Sequence, residues 1–232
     1  MSHLPLRPQT RFSNYLDPAI PLETRLVQAY AELGIVPEQQ EDIERFLGLL
    51  KTKRETLPHY EHSIRVAILA RRIGKFMHQD EKALFYAGLL HDVGKALTNP
   101  ATLDKVSGWS EADSIEMLRH VNDSYRLLAG RFDFTAQIVV LHHRFQVNCY
   151  PQNIPPSLHE YSEGTKVVIL LCARILAIAD VFDALHRVND KTGGAALSGE
   201  AIKEKLLAAN TDQRRLIEEL YESGILTTEI YS

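Results

Sequence analysis

The chain has 232 residues, of which 45% are hydrophobic and 24% are charged, and its formal net charge is −4 with the histidines neutral. This length predicts one large domain or two small ones, with enough apolar residues for a core. The acidic balance excludes the basic surface that binding to duplex nucleic acid requires. Two cysteines, Cys149 and Cys172, cannot form a disulfide framework, so we expect a reduced, cytoplasmic protein.

The sequence contains no segment that predicts export or membrane insertion. Residues 1–10, MSHLPLRPQT, lack the apolar core of a signal peptide. The longest apolar segment, residues 166–182, is interrupted by Lys166, Arg174 and Asp180 and is too short to span a bilayer. We therefore expect no membrane partner and interpret this segment as a buried helix.

The spacing of apolar residues predicts helices along most of the chain. After an irregular arm over about residues 1–20, apolar residues recur at three- and four-residue intervals, and no alternating strand pattern appears. The predicted fold is therefore all-α, a bundle of about nine helices. Residues 1–54 are interpreted as an N-terminal arm and helical extension, and residues 55–232 as the main domain. The helices are predicted near residues 21–33, 38–53, 58–74, 81–94, 110–129, 134–145, 166–187, 199–208 and 211–223.

Ionisable side chains interrupt several of these apolar segments. In GLLHDVGKA, residues 88–96, His91 and Asp92 stand in a buried-helix pattern, and Lys95 follows. Burying such groups costs on the order of several kcal/mol unless a partner compensates them. A metal ion would be such a partner, because it compensates a carboxylate and fixes a neutral imidazole. The other groups of this kind are His62, His120, His142, His143 and Asp180.

Five histidines and two aspartates are enough to bind two metal ions, with one carboxylate bridging them. Imidazole and carboxylate donors suit iron, manganese or zinc, and the donor types alone do not choose among these metals. A single buried histidine is more often a hydrogen-bonded core residue, and Asp180 alone could be a helix cap. The number of such groups in one helical chain favours the metal site.

The ordered series of these seven residues resembles the HD-domain metal-dependent phosphohydrolases, and in particular their HD-GYP branch, which are cyclic-di-GMP phosphodiesterases. Three segments carry the resemblance: HSIRVAILA at 62–70, GLLHDVGKA at 88–96 and ARILAIADVFDAL at 173–185. A fourth segment, LDKVSGWSEADSIEMLRH at 103–120, also resembles the family. The resemblance covers roughly residues 55–190.

The resemblance implies a helical bundle with a two-metal site between facing helices. The ligands that it implies for one metal are His62, His91, Asp92 and Asp180. The ligands that it implies for the second metal are His120, His142, His143 and the bridging Asp92. Iron or manganese is favoured, with zinc, nickel or magnesium as alternatives. Lys95 would contact a phosphate oxygen, and Lys105 would help to bind the substrate.

The segment after the paired histidines departs from the branch signature. The signature has HHE, an Asp-Gly turn and GYP, whereas this chain has HHRFQVNCYP. Arg144 replaces the glutamate, Cys149 replaces the glycine, and Tyr150 with Pro151 remains. We expect Arg144 and Tyr150 to bind substrate, although a solvated surface role for Arg144 is equally open. Pro58 stands where some members have a glutamate for a third metal, so we expect two metals.

The implied reaction is hydrolysis of a phosphodiester by a metal-activated water, with Asp92 and Lys95 as catalytic residues. The expected partner is a small anionic nucleotide, cyclic-di-GMP above all, and the chain is expected to be a monomer or a homodimer. His59 and Asp183 are candidate general acids, although a structural role is favoured for each.

Three alternatives to this function remain open. The same chemistry could act on another nucleotide, such as a nucleoside phosphate or a linear dinucleotide. A non-catalytic HD signalling or binding module would keep the fold, but it would not need intact ligands. A di-iron oxygenase, as in a few HD-fold proteins, is the least favoured, and it would require O₂ and iron.

Overall fold

The structure is a computed structural model that describes residues 16–17, 19–105, 107–146, 149–187 and 196–227. Every regular element within these ranges is helical, which confirms the predicted all-α fold. The α-helices are α1 (Leu22–Glu32), α2 (Pro37–Leu47), α3 (Leu57–Phe76), α4 (Glu81–Leu90), α5 (Pro100–Leu103), α6 (Glu111–Leu118), α7 (His120–Leu128), α8 (Asp133–Val139), α9 (Glu163–Leu185), α10 (Gly199–Ala209) and α11 (Arg214–Glu222). Most of the predicted N-terminal arm lies outside the described residues. Among the described helices, none is both long and apolar enough to cross a membrane.

The described ranges hold eleven α-helices where about nine were predicted, because apolar spacing does not detect local breaks. The helix predicted over residues 110–129 is divided into α6 and α7. The helix predicted over 81–94 ends as α4, since Asp92 adopts φ −105° and ψ 7°, outside helical geometry, and a 3₁₀ turn follows over Val93–Leu97. One further helix, α5, begins after an Asn99 cap with Pro100 in its first turn.

Helices α3 and α9 form the centre of the bundle, and α4 packs against both. One buried apolar cluster joins α3, α4 and α9 to the C-terminal helices; its members include Val66, Leu69, Ile73, Leu84, Leu176, Phe182, Leu206 and Ile217. A second cluster joins α1 and α2 to α3 and α4; its members include Leu26, Tyr30, Ile43, Leu47, Ile64, Phe85 and Leu89. The first two helices therefore share their core with the helices that follow, while the domain boundary after residue 54 stays a prediction.

Two glycines allow backbone segments to approach closely beside the ionisable residues. A Cβ on Gly88 would lie 2.3 Å from Cα of Ala67, so α3 and α4 pack with no room for a side chain there. A Cβ on Gly94 would lie 2.1 Å from the carbonyl oxygen of His120 and 2.5 Å from the backbone nitrogen of Ser124. The Gly94 N–H also donates to Oγ of Ser124, at 2.8 Å. The turn after α4 is thereby held against the start of α7.

We expect Gly94→Ala to destabilise the protein by about 1–3 kcal/mol, because the added methyl would meet backbone atoms that must shift. The measurement is the free energy of unfolding in urea. Gly48→Ala is the matched control, since a Cβ at Gly48 would meet nothing within 4 Å. Equal stability of the two variants would contradict this account of the close approach.

Candidate metal centre

All seven side chains predicted as metal ligands converge at one place in the bundle. His62 comes from α3 and Asp180 from α9, while His91 and Asp92 directly follow α4. His120 begins α7, and the remaining two histidines follow α8. Six of the seven residues are buried, and His143 is half-buried. Their assignment as ligands stays a prediction, but their convergence is a property of the fold.

One group of donor atoms lies between α3, α4 and α9. Nε2 of His62 lies 3.2 Å from Nε2 of His91 and 3.1 Å from Oδ1 of Asp180. Oδ2 of Asp92 lies 3.4 Å from Nε2 of His91 and 3.6 Å from Nε2 of His62. One atom from each of His62, His91 and Asp92 can therefore contact a single metal ion.

A second group lies on the other side of Asp92. His120, His142 and His143 each offer one nitrogen, and these nitrogens all lie within 4.8 Å of one another. Oδ1 of Asp92 lies 3.3 Å from Nε2 of His120, whereas its Oδ2 faces the first group. The two oxygens of one carboxylate thus face two different sets of imidazoles, which is the arrangement that a bridging ligand requires.

The imidazole rings are oriented by hydrogen bonds at Nδ1. Three of them donate to the carbonyl oxygen three residues earlier: His91 to Gly88 at 2.8 Å, His120 to Met117 at 2.6 Å and His142 to Val139 at 2.6 Å. A carbonyl only accepts, so Nδ1 carries the proton and Nε2 presents a lone pair to the centre. His62 instead donates from Nδ1 to the carboxylate of Asp183, at 2.6 Å.

The donor set fits divalent cations. Two Nε2 lone pairs, those of His62 and His91, face each other at 3.2 Å, which is repulsive unless a cation lies beside them. Oδ1 of Asp92 and Nε2 of His120 and His142 are buried, and none has a hydrogen-bond partner among the described residues. Leaving such an atom unsatisfied costs about 1–3 kcal/mol. Metal coordination would satisfy all of these atoms together.

The charges around the centre also suit a cation. Burial lowers the pKa of His120 to about 4 and that of His142 to about 3, so both rings are neutral at pH 7. Burial acts to raise the pKa of Asp92, but nearby His91 and Lys95 outweigh it and hold that pKa well below its usual range. Neutral imidazole and ionised carboxylate are the forms that bind metal.

Lys95 lies at the edge of the centre, where it was predicted to act. Its Nζ lies 2.6 Å from Oδ2 of Asp92 and 3.3 Å from Nδ1 of His59. Burial and the Lys95 charge lower the pKa of His59 well below its usual value, so His59 accepts a hydrogen bond from Lys95 and is neutral. This contact favours the structural interpretation of His59 over the general acid.

Asp183, the other candidate general acid, is fully buried behind His62. It accepts hydrogen bonds from Arg65 as well as from His62, and these two residues hold its pKa below its usual range against the effect of burial. An ionised carboxylate with no exposure is not a proton donor for a leaving group. The sequence pattern did not identify Arg65, whose only signal is a charged residue inside the apolar run HSIRVAILA.

The predicted substrate-binding residues occupy different positions. The Tyr150 ring stacks on His143, with centroids 4.5 Å apart and planes inclined at 22°. Arg144 donates from Nη1 to the carbonyl oxygen of Pro151, at 2.9 Å. Lys105 pairs at 2.5 Å with Asp113, which belongs to the capping box of α6. Tyr150 therefore borders the centre directly, Arg144 anchors the segment that carries it, and Lys105 braces the start of α6.

Comparison with protein families matches residues 59–185 to the HD domain. This chain belongs to the HD domain family. The match covers more than half of the chain and includes all seven converging residues, so the predicted HD-domain membership is confirmed. HD domains bind divalent metals, which agrees with the donor groups of this centre.

Three curated proteins illustrate the relatives of this HD-domain chain. The 3′3′-cGAMP-specific phosphodiesterase 1 of Vibrio cholerae serotype O1 is 32% identical over 148 residues, which are 60% of this chain and 31% of that protein. The cyclic di-GMP phosphodiesterase response regulator RpfG of Xanthomonas campestris pv. campestris is 29% identical over 174 residues, 72% of this chain and 43% of the relative. Ribonuclease Y of a Sulfurovum species is 41% identical over 68 residues, 29% of this chain and 13% of the relative. This chain therefore matches less than half the length of each relative.

We expect Asp92→Ala to abolish binding of both metal ions, because each of its oxygens faces one group of donors. The measurement is metal content per chain by elemental analysis, after loading with Mn²⁺ and removal of the excess. Asp123→Ala removes another buried acid, one that pairs with Arg126 outside the centre, and it should leave metal content unchanged. Two equivalents of metal in Asp92→Ala would contradict the bridging role.

Proposed function

We propose that this chain is a metal-dependent phosphodiesterase that hydrolyses a cyclic dinucleotide, with cyclic-di-GMP as the favoured substrate. The observation that carries the proposal is the division of the Asp92 carboxylate between two groups of imidazoles. The substrate class is supported by two relatives, one named for 3′3′-cGAMP and the other for cyclic di-GMP. The partner is accordingly a small anionic nucleotide.

The centre is proposed to bind two divalent ions, iron or manganese. The ligands proposed for the first ion are His62, His91, Asp92 and Asp180. The ligands proposed for the second are His120, His142, His143 and Asp92. When bound, two such ions supply an activated water and charge stabilisation at the phosphoryl oxygens. The rigid Nδ1 hydrogen bonds keep the donor atoms aimed at their positions and so reduce the cost of assembling the centre.

Lys95 is proposed to stabilise the negative charge that develops on the phosphoryl group. Its ammonium has three N–H donors, of which Asp92 accepts one and His59 a second. The third donor is left for a phosphate oxygen. Because two protein groups already fix the ammonium, it needs little reorganisation when charge develops, which is the condition for effective electrostatic catalysis.

Tyr150 and Arg144 are proposed to contact the substrate beside the metal centre. The stack of Tyr150 on His143 sets an aromatic ring next to a proposed ligand. Arg144 uses one of its five N–H donors on Pro151, and the others can bind a phosphate. Lys105, held by Asp113, is proposed as a more distant substrate contact.

Hydrolysis of a different nucleotide is the second candidate function. It is favoured by the changed segment HHRFQVNCYP, in which Arg144 stands where the branch signature has a glutamate. The similarity to Ribonuclease Y, a relative that is not named for a cyclic dinucleotide, points the same way. The same metal donors would serve a cyclic dinucleotide or a different nucleotide. The two candidate functions therefore differ only in which nucleotide the residues around the centre select.

The test is hydrolysis by metal-loaded protein under anaerobic conditions, with products separated by chromatography. Cyclic-di-GMP, 3′3′-cGAMP, a linear dinucleotide and a short RNA are compared at equal concentration. We expect the cyclic dinucleotides to be cleaved fastest. Cleavage of the linear dinucleotide or RNA alone would favour the second candidate. Two bound metals without any hydrolysis would favour a non-catalytic module, and turnover that depends on O₂ would favour the oxygenase.

We expect Lys95→Met to retain both metals but to lower kcat by about 10²-fold, because one fixed donor to the phosphoryl group is lost. Initial rates on cyclic-di-GMP with Mn²⁺ measure the effect, and metal content is checked on the same sample. Lys82→Met is the control, since Lys82 bonds Gln39 away from the centre. Unchanged turnover in Lys95→Met would remove Lys95 from the mechanism.

A further inference from the structure

A buried ion pair lies directly behind His62, on the side away from the metal centre. Asp183 has no solvent exposure, and Arg65 is 5% exposed. Nε of Arg65 donates to Oδ1 of Asp183 at 2.9 Å, and its Nη2 donates to Oδ2 at 3.3 Å. Oδ2 also accepts the Nδ1 proton of His62, at 2.6 Å. The pair joins α3, which carries Arg65 and His62, to α9.

His62 is the imidazole of this centre that is oriented by an ionised side chain, whereas Nδ1 of His143 contacts the amide of Gln146. His91, His120 and His142 donate from Nδ1 to backbone carbonyls, which no substitution can change. His62 donates to an ionised carboxylate, whose position is set by Arg65. Its orientation therefore depends on side chains, and Asp183 lies one helical turn after the proposed ligand Asp180 on the same helix.

We propose that Arg65 and Asp183 are positioning residues that hold His62 with its proton on Nδ1 and its lone pair on Nε2. They would thereby control the metal position on the His62 side of Asp92 and leave the His120 side largely unaffected. This inference rests on the proposed metal centre. Arg65 is needed for this role because its charge compensates that of Asp183. The Asp183 carboxylate then accepts a hydrogen bond from the imidazole without removing its proton.

The arginine also makes Asp183→Asn diagnostic. Arg65 has only donors and contacts both oxygens, so the new NH₂ meets a donor in either orientation, and the orientation with the amide oxygen at Nε keeps the shorter of the two contacts. The amide NH₂ then takes the place of Oδ2, opposite Nδ1 of His62. An N–H at that point donates to Nδ1 and forces the ring proton to Nε2, where it blocks metal coordination. The opposite orientation would set NH₂ against Nε of Arg65 at 2.9 Å, a closer donor–donor contact than the one with Nη2 at 3.3 Å that the first orientation leaves.

The experiment is a titration of the 232-residue chain with Mn²⁺, with free Mn²⁺ followed by electron paramagnetic resonance. Wild type should bind two ions. In Asp183→Asn we expect one site to weaken by about 10- to 100-fold and the other to keep its affinity. Asp123→Asn is the control, since it changes a buried acid paired with Arg126, and it should keep both sites. Two unchanged sites, or two equally weakened ones, would overturn the proposal.

A second measurement covers the case in which the variant does not fold. Long-range ¹⁵N–¹H spectra report which ring nitrogen carries the proton, and the His62 signals are assigned by their loss in His62→Gln. We expect the His62 proton on Nδ1 in the wild-type protein, both before and after zinc is added. A proton on Nε2 of His62 in the metal-free protein would contradict the proposal. Neither measurement uses hydrolysis, so a protein that binds two ions without cleaving any nucleotide would contradict the proposed function and leave this inference standing.

Discussion

The structure depends on one buried carboxylate, that of Asp92, whose two oxygens face different groups of imidazoles. An ionised group with 1% exposure is costly unless positive charge surrounds it. Lys95 supplies one such charge, with its Nζ 2.6 Å from Oδ2 of Asp92. Cations bound by the imidazole lone pairs that face both oxygens would supply the remaining positive charge. The backbone also helps to position this carboxylate. Asp92 lies outside helical geometry, and Gly94 allows the turn that follows to pack closely against α7.

Helix ends orient three of the five imidazoles in this centre. The last turn of an α-helix has carbonyl groups without an intrahelical partner. Gly88, Met117 and Val139 lie in the last turns of α4, α6 and α8, and each accepts the Nδ1 proton of a histidine three residues later. This hydrogen bond uses a carbonyl at the helix end and directs Nε2 to the centre. His62 lies inside α3, where no such carbonyl is free, and a buried ion pair orients it instead.

Much of this could be predicted from the sequence, and what could not has a physical cause. The all-α fold follows from apolar spacing, and the seven converging residues follow from polar groups in apolar segments together with the family resemblance. The ends of α4 at Leu90 and of α8 at Val139 were not predicted, because apolar spacing continues past both residues. Backbone angles and caps decide where each helix ends. Arg65 and Asp183 are 118 residues apart, so no local pattern could have joined them, and the structural role favoured for Asp183 came without a partner.

The departure of this chain from the HD-GYP signature falls on a part of the site that the helices do not build. The proposed metal donors come from helices or the turns that end them, whereas Tyr150 and Pro151 belong to the connection between α8 and α9. Arg144 ties that connection to the last donors through Pro151, and Tyr150 stacks on His143. Connections can vary while a rigid scaffold keeps its donors in place. Under the proposed function, the type of reaction would therefore depend on the Asp92 centre, and the choice of nucleotide would depend on the residues around Tyr150.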